Sequence, residues 1–162
     1  MKVKKLINII LIFLLALSLS ACGGTTASET DDAIDTNETM TESEAASDMK
    51  MTIGDTEVSV AWEENESVKA LMELVGDEPL TIQTSMYGGF EQVGSIGTSL
   101  PRNDQQTTTN AGDIVLYSGD QIVVFYGSNS WAYTRLGHIT DKSAQEMADL
   151  LGNGDVTITI GR

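Results

Sequence analysis

Between Phe125 and Gly137 the chain reads FYGSNSWAYTRLG, which sets Tyr126, Trp131, Tyr133, Asn129 and Arg135 within one short stretch. Rings beside a guanidinium are what recognition surfaces enrich. The rings give rigid contact area, and arginine stacks on them while its fork binds a carbonyl or carboxylate. Upstream, Tyr87, Phe90 and Arg102 add the same side-chain types. The candidate site is therefore a groove for a peptide or another extended ligand. Tyr87, Phe90, Trp131 and Tyr133 would wall it, and Arg102, Asn129 and Arg135 would supply its hydrogen bonds. The competing reading is that each ring packs a corner of the sheet while Arg135 pairs with an acid.

Catalytic chemistry has less to stand on, and no catalytic residue is assigned. His138 is the sole histidine. In a regular strand it shares a face with Leu136, which places it inside. Glu91 and Asp104 would form a carboxylate pair only if the fold brought them together, and surface solvation is the expectation for both. No His, Cys and carboxylate spacing suits zinc, no EF-hand is present, and no cofactor is implied. Gly152-Asn153-Gly154 follows a helical pattern and opens a strand, so it reads as a turn and not a phosphate loop.

The elements that must position these residues are mostly strands. Met51 to Trp62 alternates around Gly54-Asp55 as a hairpin. Asn65 caps a helix with Val68, Leu71, Met72 and Val75 on one face, and Gly76 and Pro79 end it. Leu80 to Met86 alternates as a strand, broken by Gly88-Gly89. Asp113–Tyr117 and Gln121–Tyr126 form the clearest hairpin, and Trp131–Ile139 is a further strand. A second helix runs over about 141–151 and a last strand over about 155–160. Seven or eight strands with two short helices, not alternating as βαβ units, predict a mainly β fold. A closed antiparallel barrel with two short capping helices fits best.

The first fifty residues concern address. A basic head, Lys2 to Lys5, precedes the apolar run LINIILIFLLAL, which is short for a membrane span of about 20 residues. Leu19-Ser20-Ala21-Cys22, holding the one cysteine of the chain, resembles the bacterial lipobox. That resemblance implies a signal peptide over 1–21 and acylation of Cys22, with the acyl chains as the membrane anchor. Residues 22–50 carry eight acids against Lys50 and almost no large apolar residue, so they predict a disordered tether. The domain is then 51–162, with sixteen acids against five bases. Such a balance argues against nucleic acid and against direct docking on anionic lipid. The expected protein is exported and lipid-anchored.

Four blocks carry a wider likeness: YGGFEQVGSIG from Tyr87, LPRND from Leu100, GDIVLYSGDQIVVFYGSNSWAYTRLG from Gly112 and LLGNGDVTITI from Leu150. They resemble a bacterial family of small cyclophilin-like domains, and the likeness spans nearly all of 51–162. The resemblance implies a compact cyclophilin-type barrel. True cyclophilins are peptidyl-prolyl isomerases that use a Phe-His-Arg motif and a Gln-Gly-Gly-Asp segment. Neither occurs here, so no isomerase residue carries over. The leading reading is a non-enzymatic module that binds a peptide or protein. Prolyl isomerisation stays open through the fold alone. A small-molecule or flavin-related accessory role stays open because relatives are fused to flavodoxin-like domains.

Overall fold

A computed structural model describes residues 48–162. The signal over 1–21, the Cys22 lipidation site and the tether before Asp48 lie outside the described residues. The domain starts slightly earlier than the charge run suggests. Met49 is buried in the core, its carbonyl accepts a hydrogen bond from Trp62 Nε1 at 3.1 Å, and Lys50 opens the first strand.

That strand, β1 (Lys50–Ile53), turns through Gly54 into β2 (Thr56–Val58) and buries Met51, Ile53 and Val58. The alternation from Met51 to Trp62 looks like one hairpin, but the chain changes partners at Ser59. The Ser59 amide donates to Asp141 Oδ1 at 3.0 Å, and its carbonyl accepts from the Thr140 amide at 2.8 Å. Beyond this corner, β3 (Val60–Trp62) pairs with β9 (Ser130–Ile139) and not with β2.

The corner closes the molecule. β4 (Leu80–Tyr87), β5 (Glu91–Ser95), β7 (Asp113–Tyr117), β8 (Gln121–Phe125) and β10 (Val156–Gly161) complete an antiparallel path ordered β2-β1-β10-β4-β5-β8-β7-β9-β3. Its two end strands, β2 and β3, are joined by the single residue Ser59. The result is a nearly closed nine-strand barrel with its edges drawn together, which limits strand addition from outside. A tenth strand, β6 (Gln105–Thr108), lies off this path along the first half of β9. Two strands, β5 and β6, exceed the count that alternation suggests. Their sequences, EQVGS and QQTT, lack the apolar rhythm of the others.

Two helices complete the core. The N-cap of α1 (Glu66–Val75) is Asn65, whose side chain accepts from the Val68 amide at 3.0 Å and donates to the Arg135 carbonyl at 2.9 Å. One residue thus starts the helix and pins it to β9. Val68, Leu71 and Val75 then face inwards. In α2 (Ala144–Leu151), Ser143 and Glu146 form a reciprocal capping box that satisfies two amides otherwise left open, and Met147 and Leu151 reach the core. These side chains join Ile82, Ile114, Leu116, Ile122, Val124, Leu136, Ile158 and Ile160 in one cluster that fills the barrel.

One strand departs from regular alternation. Opposite β7, Ile114 pairs with Gly137 whereas Val115 pairs with Arg135, so Leu136 is an extra residue in β9. The bulge flips the parity of everything after it. His138, expected inside with Leu136, instead sits opposite Asp113 and is half-exposed, its Nδ1 2.8 Å from Asp113 Oδ1. Gly137 is required at this point, because a Cβ there would stand 2.8 Å from the Ala61 carbonyl oxygen of β3.

Candidate functional site

A smaller apolar cluster lies on the outer face of the barrel. Because side chains alternate, the strands that send Leu116, Ile122 and Val124 inwards send Val115, Val123 and Phe125 outwards. Tyr133 of β9 joins them and is buried, with its ring edge-on to Phe125 at 5.7 Å and to Tyr117 at 6.1 Å between centroids. Of these, Tyr117, Val123 and Tyr133 line a pocket of about 290 Å³, with Val115 and Phe125 packed in the cluster beside them.

Five strands and one loop supply its lining. Tyr87 comes from the end of β4, Glu91 and Val93 from β5, Gln121 and Val123 from β8, Tyr117 from β7, and Trp131 and Tyr133 from β9. Asn129 enters from the loop before β9. Tyr87 and Trp131 are the exposed walls, 67% and 58% accessible. Gly88 and Gly89, with φ of 63° and 77°, turn the chain tightly enough for Tyr87 to pair directly with Glu91. Asn129 is fixed from behind: its amide N–H donates to the buried Thr109 hydroxyl at 3.0 Å, and its carbonyl accepts from the Thr109 amide at 2.8 Å. So held, its Nδ2 donates to the Tyr133 hydroxyl oxygen at 3.0 Å, which leaves the phenol proton available to a ligand.

The chemical centre of the pocket is Glu91. It is 5% exposed, and its Oε2 is buried without a hydrogen-bond partner. Buried polar atoms are nearly always paired, so an orphaned carboxyl oxygen on a residue that lines a pocket calls for a reason. Loss of water around the carboxylate raises its pKa from 4.5 to about 7. The Tyr133 phenol is raised too, first by its own burial and then by the Glu91 charge, with the Asn129 hydrogen bond acting the other way. Near neutral pH this carboxyl therefore exists in both forms. It can donate a proton to an acceptor or, ionised, receive a cation.

The sequence-predicted residues divide between two places. Tyr87, Asn129, Trp131 and Tyr133 share the pocket. Phe90 is not a wall of it and packs against the cluster of Val115, Val123, Phe125 and Tyr133. Arg102 and Arg135 do not reach it. They line a second cavity of about 590 Å³ beside the start of α1, which also touches Tyr133. Arg135 is held by Glu63 at 3.2 Å and Asp113 at 3.1 Å, the acid pairing that sequence reading offered as the alternative. Arg102 pairs more loosely with Asp104 at 3.4 Å. Asp104 thus lies away from Glu91, and Glu91 is buried where surface solvation was expected. Glu91, Val93, Tyr117, Gln121 and Val123 were not foreseen as lining. The available signal was the alternation of Glu91 and Val93, which places an acid on the same strand face as a valine.

Among the described residues no group of three or more His, Cys, Asp or Glu side chains could hold a metal ion. The architecture and this pocket define a small antiparallel barrel with a side-chain-sized pocket on its outer wall. The chain belongs to the cyclophilin-like family, whose model matches residues 51–161. Among solved structures it is similar to a hypothetical protein of Archaeoglobus fulgidus determined in solution. The TM-score is 0.53 at 13% identity, over 70% of this chain and 92% of that one, a likeness of fold. No curated protein matches.

Proposed function

We propose that this is a non-enzymatic binding module that captures a peptide segment or a partner protein's exposed loop in the pocket of Tyr87, Trp131 and Tyr133. The observation that carries the reading is the pair of exposed rings, Tyr87 and Trp131, standing over a fixed polar floor of Asn129 and Tyr133. Rigid aromatic walls gain contact area on binding with little loss of side-chain freedom. A volume of about 290 Å³ sits at the lower edge of the roughly 300–1,000 Å³ of small-molecule sites, which suits one or two side chains better than a flavin. The absence of both arginines from the pocket argues against prolyl isomerisation, which in true cyclophilins works through an arginine.

The full chain, titrated with a pool of short unstructured peptides, is expected to show NMR shifts confined to the pocket residues and no faster prolyl isomerisation. Clear prolyl turnover that disappears on replacing Arg102 or Arg135 would overturn the binding reading in favour of the enzyme.

The proposed setting is the exported side of a bacterial membrane, at the cell surface or facing the periplasm, with the domain held through acyl chains on Cys22. Support comes from the basic head, apolar run and Leu19-Ser20-Ala21-Cys22 order. Feeding an alkyne fatty acid to the producing cells should label the wild-type chain and leave Cys22→Ser unlabelled. Equal labelling of both, or labelling of neither, would remove the anchor.

A further inference from the structure

We propose that the outer pocket selects a basic side chain, the ammonium of lysine or the guanidinium of arginine in a bound peptide, and sets its charge on the Glu91 carboxylate. The inference rests on the peptide-binding reading of the same pocket and names the residue that the pocket takes.

Glu91 is 95% buried by its 5% exposure, and its Oε2 has an unfilled acceptor position. The polar and titratable groups that line the pocket with it are Tyr87 of β4, Tyr117 of β7, Gln121 of β8, Asn129 of the loop before β9 and Tyr133 of β9. No lysine, arginine or histidine lines the pocket, so no cation of the domain serves this carboxylate there. Arg102 and Arg135 are committed to Asp104, Glu63 and Asp113 beside the other cavity. An unpaired buried carboxylate is disfavoured in the unliganded domain, and an incoming cation with matching hydrogen bonds removes that cost. The walls agree with such a guest. Ring faces attract a cation, and the apolar stem of lysine or arginine lies against aromatic and branched surface while its head stays polar. The acidic surface of 51–162 draws basic segments in over longer distances. A neutral guest gains only the apolar contact, and an acidic one is repelled by the carboxylate.

Binding is then coupled to a proton. Burial holds Glu91 protonated up to about pH 7, and a cation needs the ionised form. Affinity for a basic residue should therefore fall as pH drops below that value, by up to about tenfold per unit. The Tyr133 phenol, raised by its own burial and by the Glu91 charge, keeps its proton throughout this range.

The test uses the full chain and a series of blocked pentapeptides, Ac-Gly-Ala-Xaa-Ala-Gly-amide, with Xaa as lysine, arginine, norleucine, citrulline or glutamate. Calorimetric titration at about pH 8 is expected to show lysine or arginine preferred over its uncharged counterpart by about tenfold or more. At about pH 5 that preference should largely vanish. Glu91→Gln should bring lysine and norleucine to equal affinity at both pH values. Trp131→Ala, at an exposed position that tolerates truncation, should weaken every peptide, the charged ones at least as much as the neutral ones, and leave the loss of preference between pH 8 and pH 5 in place. Equal binding of lysine and norleucine, or better binding of citrulline at acid pH, would overturn cation selection and leave peptide binding standing. Failure of every peptide to bind would overturn both.

Discussion

Wild-type protein is expected to lose on the order of 3 kcal/mol of stability between about pH 4.5 and pH 7 relative to Glu91→Gln, because burial raises the Glu91 pKa from 4.5 to about 7. The sign follows from which state holds the proton more tightly. Below the lower value the carboxyl is protonated in both folded and unfolded chains, and nothing distinguishes them. Between the two values the unfolded chain ionises first, so each rise in pH favours unfolding. Above the upper value the folded chain carries the full burden of a buried, unpaired charge. Glutamine keeps the shape and cannot ionise. Subtracting its denaturation curve from that of wild type cancels the other carboxylates of the domain. Two curves that run parallel across this window would show that the Glu91 carboxyl is solvated, and the chemistry assigned to the pocket would fail with it.

Gln92→Leu is expected to destabilise the domain by about 2–4 kcal/mol, although the two side chains are similar in volume. Gln92 points to the opposite side of β5 from Glu91 and is completely buried. Its Nε2 donates to the carbonyls of Leu151 and Gly154, both at 2.7 Å, and its Oε1 accepts from the Thr84 hydroxyl at 3.0 Å. The Leu151 carbonyl belongs to the last turn of α2, where no helical donor remains. One amide therefore ties the helix end, the turn into β10 and the β4–β5 ladder together. Leucine strands the buried Leu151 carbonyl and the half-buried Gly154 carbonyl, while the Thr84 hydroxyl keeps the Val156 carbonyl at 2.8 Å; such orphaned groups cost more than the bonds themselves contribute. Urea denaturation measures the total, and hydrogen exchange at 151–154 should rise first. A change below about 1 kcal/mol would mean that water reaches these carbonyls.

Gln92 and Glu91 also show where sequence reasoning stops. Strands with clear alternation, such as Asp113–Tyr117 and Gln121–Phe125, were legible, as were both helices, the first through Asn65 and the second through its apolar face ending at Gly152. The family resemblance carried the barrel beyond what alternation alone could give. EQVGS hid as a strand because its polar residues are buried on both faces, one by internal hydrogen bonds and one beside a pocket. The partner change at Ser59 was invisible because β2 and β3 share one rhythm of alternation, and pairing is decided by distant strands. His138 was misplaced because period-two reasoning assumes a regular ladder, and one extra residue at Leu136 reverses every side chain beyond it. The ring cluster was legible by residue type. Which cations belonged to it was not, since Arg135 answers to Glu63 and Asp113 from other elements.

Lys50 pairs with Gly161, so the entry and exit of the barrel lie on one rung of one ladder. A domain built this way behaves as a plug-in unit: host proteins can accept it inside a surface loop without stretching, since both attachment points occupy one spot. By the same geometry a brief glycine linker could stitch the old ends together, and new ones could be cut at the Ser118-Gly119 bend with the strand order intact.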